Sequence, residues 1–329
     1  MNKMRFGLAL AIALLANATP AEPVLGDLNV RWAPGAEDCA ANPQPPLQVH
    51  RYDAATFILR QNLCADFEAP LLYLLIGEKR ALLIDSGAVE DEASMPLAKT
   101  IADLLPQSNG ASLPLVVAHT HRHSDHRAGD AQLAKLQGAE IVPIELEDIV
   151  KYYGFKSWLE DTVEVDLGGR VVEAIAVPGH LRDHLLFYDA NTGLAFSGDF
   201  LLPGRLLVND IDAYRASADR AVVYLKDKPV TAVLGGHIEL NNDGEPFSSG
   251  STHHPNERAL ALAKEDLESL PAALKDFNGF YSKYPHFIIV NPIRNLLVLA
   301  AGVIIALTLL IWLARRLWKR RRKPVLTPA

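Results

Sequence analysis

Two cysteines in 329 residues are too few for a disulfide framework or a thiolate metal site. Neither Cys39 nor Cys64 stands in a CxxC or Cys-His setting, so nothing points to a redox or nucleophilic thiol. In an oxidising compartment the pair could close a loop of about 25 residues, worth on the order of 3 kcal/mol. Two free buried thiols is the other reading. Basic residues are scarce where they would matter. Of 32 Lys and Arg, two lie in residues 1–21 and seven in residues 315–329, leaving 23 against 39 acids, formally −16. No basic stripe, and no run of interleaved Arg and aromatic residues, occurs outside the tail. A domain of that charge repels nucleic acid, and none is expected as a partner. No internal repeat is visible. What is plentiful is apolar: 49% of residues, enough for one large core without staples.

The two ends read as addresses. Residues 1–21 begin with Lys3 and Arg5, continue with the apolar stretch 6–15 and end in small residues. That is the pattern of a secretory signal peptide, with Ala18 or Ala21 before the cleavage point. Residues 295–314 form an uncharged stretch long enough to cross a bilayer, followed by an unbalanced basic cluster from Arg315 to Lys323. The positive-inside rule keeps that tail cytoplasmic and the domain outside, on the periplasmic or extracytoplasmic side. The organisation expected is signal peptide 1–21, Pro-rich segment 22–50, one main domain 51–285, juxtamembrane and transmembrane segment 286–314, and basic tail 315–329. Tyr281, Tyr284, Phe287, Trp312 and Trp318 fit interfacial belts or, for the first three, a domain core.

The middle of the chain is organised around Val116 to His126, VVAHTHRHSDH. An apolar β-branched run predicts a buried strand, and it stops at His121, His123, Asp125 and His126. Three imidazoles and a carboxylate in six residues would each need a buried partner as packing, but as ligands they converge on a cation. Four further apolar runs end in polar residues: Ala81 to Asp85, Val177 to His180, Phe196 to Asp199 and Leu234 to His237. Strands are also expected at 71–76, 141–144, 171–177, 185–188, 194–196 and 231–234, and helices at 94–105, 128–136, 213–225 and 256–277, the last interrupted near Pro271.

This ordered set, spanning 57–237, resembles the metallo-β-lactamase superfamily. The resemblance implies an α/β fold, a four-layer αββα sandwich, here with one C-terminal transmembrane helix. It implies that His121, His123 and His180 hold one divalent metal, that Asp125, His126 and His237 hold a second, and that Asp199 bridges them. Zinc suits these ligands best, with iron or manganese possible. A shared hydroxide, oriented by Asp125, would attack a small-molecule substrate. His123 stands where the oxygen-reducing branch carries Glu, which implies hydrolysis. Asp199 stands where antibiotic-destroying members carry Cys or Ser; thioesterases of the glyoxalase II type, lactonases and phosphodiesterases carry Asp. The expected function is therefore a membrane-anchored hydrolase of an ester, lactone, thioester or phosphodiester. β-Lactam hydrolysis and a non-enzymatic metal-binding scaffold are the alternatives. Export argues against a glutathione thioester, which is mainly cytosolic. Asp85 and His184 read as residues behind the ligands, His119 as a satisfied core histidine, and His253 and His254 as loop residues rather than substrate contacts. The aromatic stretch 151–158 reads as packing rather than as a substrate-facing loop.

Overall fold

The computed structural model describes residues 22–108 and 111–321, so the expected signal peptide and the end of the basic tail lie outside it. Strands β1 (Leu47–Arg51), β2 (Thr56–Gln61), β3 (Leu71–Ile76) and β4 (Ala81–Ile84) lead into helix α1 (Leu97–Leu104). A short hairpin, β5 (Gln107–Ser108) and β6 (Ala111–Ser112), precedes β7 (Leu115–Ala118), then α2 (Asp130–Leu133), β8 (Ala139–Ile141) and α3 (Leu146–Tyr153). The second half runs β9 (Thr162–Asp166), β10 (Val171–Ala176), β11 (Leu185–Asp189), β12 (Leu194–Gly198), β13 (Arg205–Leu207) and α4 (Ile211–Leu225). It ends with β14 (Ala232–Gly235), β15 (Ala261–Leu262), α5 (Lys264–Asp276), β16 (Tyr281–Lys283), β17 (Ile288–Val290) and α6 (Pro292–Arg321).

Two six-stranded sheets, ordered β1-β2-β3-β4-β7-β8 and β15-β14-β12-β11-β10-β9, carry the fold. The central strands are apolar without a break because both of their faces are covered. Leu71, Tyr73 and Leu75 point between the sheets, against Val172, Phe187 and Phe196. Leu72 and Leu74 point the other way, under Leu97 and Ile101 of α1 and Leu133 of α2. Across the second sheet, Ile175, Leu186 and Val233 pack on Tyr214 and Ala218 of α4 and Leu267 and Leu270 of α5. The result is the αββα sandwich expected.

Strand direction gathers the polar loops. β4 and β7 pair in parallel, as do β12 and β14, so each pair ends at the same edge. β10 shares the direction of β12, because each is antiparallel to β11 between them. After β10, Gly179 turns the chain at φ +141°, and a Cβ there would lie 2.5 Å from the Tyr214 backbone. Only glycine lets α4 pack so near to the turn that presents His180.

Local departures from the sequence reading have local causes. The helix expected at 128–136 is regular only over Asp130–Leu133, and the strand expected at 141–144 lies at Ala139–Ile141. The stretch 151–158 starts as the last turn of α3, and its rings pack: Phe155 is buried, with Trp158 at 4.9 Å between ring centroids. The helix expected from 256 begins only at Lys264, because Asn256 takes φ +56° and Leu262 pairs with β14. That helix then runs through Pro271 unbroken.

Cys39 and Cys64 form a disulfide across 25 residues, which ties the Pro-rich segment to the β2–β3 connection. Closing that loop stabilises the fold by on the order of 3 kcal/mol in the chain-entropy account. β17 pairs with β13, so the folded unit runs on to Val290, and a single residue, Asn291, separates it from α6. Tyr284 and Phe287 pack together, with Phe287 buried in the core, whereas Tyr281 is exposed.

Candidate metal centre

Asp85 closes β4 in a left-handed backbone conformation, φ +64°, and is fully buried. Its carboxylate accepts from the Thr120 N–H at 2.7 Å and the Thr120 hydroxyl at 2.9 Å. It also lies 2.9 Å from His126 Nδ1. That contact places a proton on His126 Nδ1 and turns Nε2 inward, towards Asp125 and Asp199. His180 and His237 are set the same way by backbone carbonyls: Nδ1 of His180 donates to Leu207 O at 3.0 Å, and Nδ1 of His237 donates to Glu68 O at 2.7 Å. Asp183 accepts from the Arg122 N–H at 2.9 Å, pinning the loop between His121 and His123.

The seven residues come together as two groups that share one carboxylate. His121, His123, His180 and Asp199 form the first, and Asp125, His126, His237 and Asp199 form the second. In the first, His123 Nδ1 is 2.9 Å from His121 Nε2 and 3.0 Å from His180 Nε2. Asp199 Oδ2 faces this trio, 3.8 Å from His121 and 3.6 Å from His180. Its other oxygen, Oδ1, faces His126 at 3.5 Å and His237 at 3.4 Å, while Asp125 Oδ2 lies 3.3 Å from both. Asp199 Oδ1 is buried and has no hydrogen-bond partner. Converging ring nitrogens and an orphaned carboxylate oxygen fit two divalent cations: each cation would supply the charge that the lone pairs lack.

The electrostatics divide the site in two. Burial holds His121 and His123 below the ordinary imidazole range, which keeps them neutral, as ligands must be. Burial acts the same way on His126 and His237, but there the carboxylates win. Asp85 and Asp199 hold His126 well above its usual range, and Asp199 and Asp125 push His237 up to about 10. Burial works to raise the Asp125 and Asp199 carboxyls, yet His126 and His237 hold both well below the carboxylate range. Protons on His126 and His237 thus stand in for a cation in the metal-free second half. Zinc added to metal-free protein should release protons, and affinity at this half should rise with pH as those imidazoles lose them. Indicator-monitored zinc titration in weak buffer measures both; uptake without proton release contradicts this account.

The residues around the ligands divide differently from the sequence reading. His184 is buried and stacks on His121 at 4.7 Å, with Nε2 3.1 Å from Ser197 O, so it lies behind the ligand as expected. His119 is only half satisfied: Nε2 meets Asp130 at 2.9 Å, while Nδ1 is buried without a partner. His253 is partly exposed, 3.8 Å from Glu37, whereas His254 is buried. Glu68, Thr120 and Asp183 were not among the expected site residues. Thr120 and Asp183 adjoin the ligand motifs but carry no pattern of their own, and Glu68 acts through its backbone.

The sequence profile of the metallo-beta-lactamase superfamily matches residues 66–237, just over half of the chain. The chain belongs to this superfamily. A hydroxyacylglutathione hydrolase of Aeromonas hydrophila is 27% identical over 223 residues, 65% of this chain and 81% of that protein. One of Nostoc punctiforme is 32% identical over 138 residues, 40% of this chain and half of that protein. Among solved structures, a metallo-beta-lactamase from Pontibacter korlensis is 17% identical, covering 70% of this chain and all of that one, with a TM-score of 0.48. Membership and relatives together make the chain a metal-dependent hydrolase of the metallo-β-lactamase fold. The superfamily's pair of divalent metals fits the His/Asp cluster described above.

Proposed function

We propose that the chain is a membrane-anchored hydrolase of an ester, lactone, thioester or phosphodiester, with two zinc ions held by His121, His123, Asp125, His126, His180, Asp199 and His237. The observation that carries this reading is Asp199, whose two oxygens face the two ligand groups separately. When bound, two such cations supply Lewis acidity and draw the pKa of a shared water towards neutrality. The protein's part is to hold the rest. Asp125, half-buried beside His126 and His237, orients the attacking water. Asp85 and the carbonyls of Leu207 and Glu68 fix the ring tautomers, and Asp183 holds the loop that aims His121 and His123. Among the four substrate classes, the relatives named hydroxyacylglutathione hydrolase favour a thioester.

The membrane part of the reading rests on α6. Its stretch Pro292–Trp318, 27 residues long, is long and apolar enough to span a bilayer, and none of it is buried against the domain. Exposed Phe280 and Tyr281 at its base, and exposed Trp312 and Trp318 towards its far end, fit two interfacial belts. Orientation follows from the signal-peptide pattern and the basic tail.

The test is kcat/KM of the metal-loaded protein on a matched ester, lactone, thioester, phosphodiester and β-lactam. The thioester or another of the first four should lead; a β-lactam at the top would overturn the substrate class, and silence on all five would favour a scaffold. Truncation after Asn291 should release a soluble, active domain. A truncated protein still extracted only by detergent would place the anchor elsewhere.

A further inference from the structure

Beside the second ligand group lies a small open cleft of about 50 Å³. Phe67, Glu68, Arg205, Glu239, Phe247 and His254 contribute to its wall. It adjoins the metal centre directly, since Glu68 O holds His237 and Glu239 stands two residues after that ligand.

The charges in this wall do not cancel. Arg205 is spent on Glu239, with Nη1 to Oε1 at 3.2 Å, and its Nη2 also donates to the Phe247 carbonyl. The half-buried Glu68 carboxylate makes no hydrogen bond or ion pair among the described residues. It is the acid of the cleft wall left without a direct partner, since Glu239 has Arg205.

His254 adds a second acceptor. It is 6% exposed, and its ring stacks on Phe247 with centroids 4.1 Å apart. Nδ1 faces Glu257 Oε1 at 3.2 Å, and Glu257 in turn holds Arg60 through both guanidinium nitrogens. Arg60 and Glu257 are nearly sealed, at 3% and 8% side-chain exposure. Burying such a pair strips both charges of water, so stability alone is a poor reason for it. With the carboxylate fixed by Arg60, Nδ1 is the nitrogen that donates, which leaves Nε2 as the ring's acceptor, with no partner among the described residues. A wall with a free carboxylate, a locked imidazole acceptor and no free cation is built for a hydrogen-bond donor of positive charge.

Resting on the hydrolase reading, we propose that this cleft is the recognition subsite for an ammonium group of the substrate, with Glu68 as its counter-ion and His254 as a second acceptor. The substrate is then an amine-bearing ester or thioester. Residues 22–314 carry a formal −16, still about −12 once two divalent cations are counted, which favours the same sign of substrate at long range. A substrate rich in carboxylates is disfavoured twice, by that field and by Glu68.

Binding and turnover separate this inference from the reading beneath it. The zinc-loaded full chain in detergent is titrated calorimetrically with β-alaninamide, a monocation at neutral pH, and with butanamide, its neutral near-isostere. The cation should bind about tenfold more tightly or better, the weight of one charge-assisted hydrogen bond. Glu68→Gln should bring the two within about twofold, and Glu68→Asp should keep part of the selectivity. Equal binding of the two amides to the unaltered protein overturns the subsite, whatever the turnover. In parallel, β-alanyl, butanoyl and succinyl thioesters of one thiol should be hydrolysed in that order of kcat/KM, with the Glu68→Gln loss appearing in KM of the β-alanyl member. Selective binding without turnover of any thioester or ester leaves the subsite standing and counts against the hydrolase. Turnover with succinyl ahead leaves the hydrolase standing and overturns the subsite.

Discussion

Asp199→Asn should lower kcat/KM by on the order of 10³, about 4 kcal/mol of transition-state stabilisation. It should also take the bound metal from two equivalents towards one. The carboxylate reaches both ligand groups, one oxygen to each, and Oδ1 has no other hydrogen-bond partner. An amide has the same shape but only one acceptor oxygen and no charge, so it can serve one cation and must turn an N–H towards the other. Asp125→Asn provides the contrast. Activity should fall there too, but His121, His123, His180 and Asp199 remain for the first cation, so metal loss should be confined to the second. Elemental analysis alongside steady-state kinetics distinguishes the two variants. Two metals and full rate in Asp199→Asn would remove the bridge from the account.

The seven residues that gather at the centre stood out in the sequence because each follows an apolar strand that ends abruptly. Ala118, Val177, Gly198 and Gly235 close runs whose burial on both faces is written in their composition, and the polar residues after them have no packing role. Membership of the sandwich was legible for the same reason. The residues that set the ligands were not. Glu68 holds His237 across 169 positions through a backbone carbonyl, which any residue could supply, and Leu207 does the same for His180. Asp183 reaches Arg122 across 61 positions, a distance that local periodicity does not encode. His253 and His254 look alike in sequence. They part company because His254 meets Glu257 and Phe247, while His253 stays at the surface near Glu37. Pro271 misled the other way: its ring signals a break, yet tertiary packing of Leu267, Leu270 and Leu274 keeps α5 whole.

Away from the metal centre, Asp189→Ala should be the most damaging single change to stability, costing about 3–5 kcal/mol, the range for breaking a buried ion pair by removing one partner. Asp189 has no exposed surface, and Arg170 is 5% exposed. The guanidinium meets Asp189 Oδ1 at 3.1 Å and Oδ2 at 2.7 Å. Its remaining donors cross to the other sheet, to the Thr56 hydroxyl at 2.9 Å, Ala55 O at 2.9 Å and Ile76 O at 3.3 Å. Arg170 therefore fastens the β2 and β3 ends to the β10–β11 hairpin. Truncating Asp189 leaves a fixed positive charge between two sheets, where Arg cannot shed its proton. Thr192, which donates to the same carboxylate at 2.5 Å, loses its acceptor as well. Lys99→Ala is the control, because Lys99 and its partner Asp103 are 72% and 64% exposed and such pairs contribute little. Urea unfolding of the metal-free protein should show a large drop in midpoint for Asp189→Ala and almost none for Lys99→Ala. Equal, small shifts would mean that packing between the sheets, not this ion pair, holds the sandwich closed at that end.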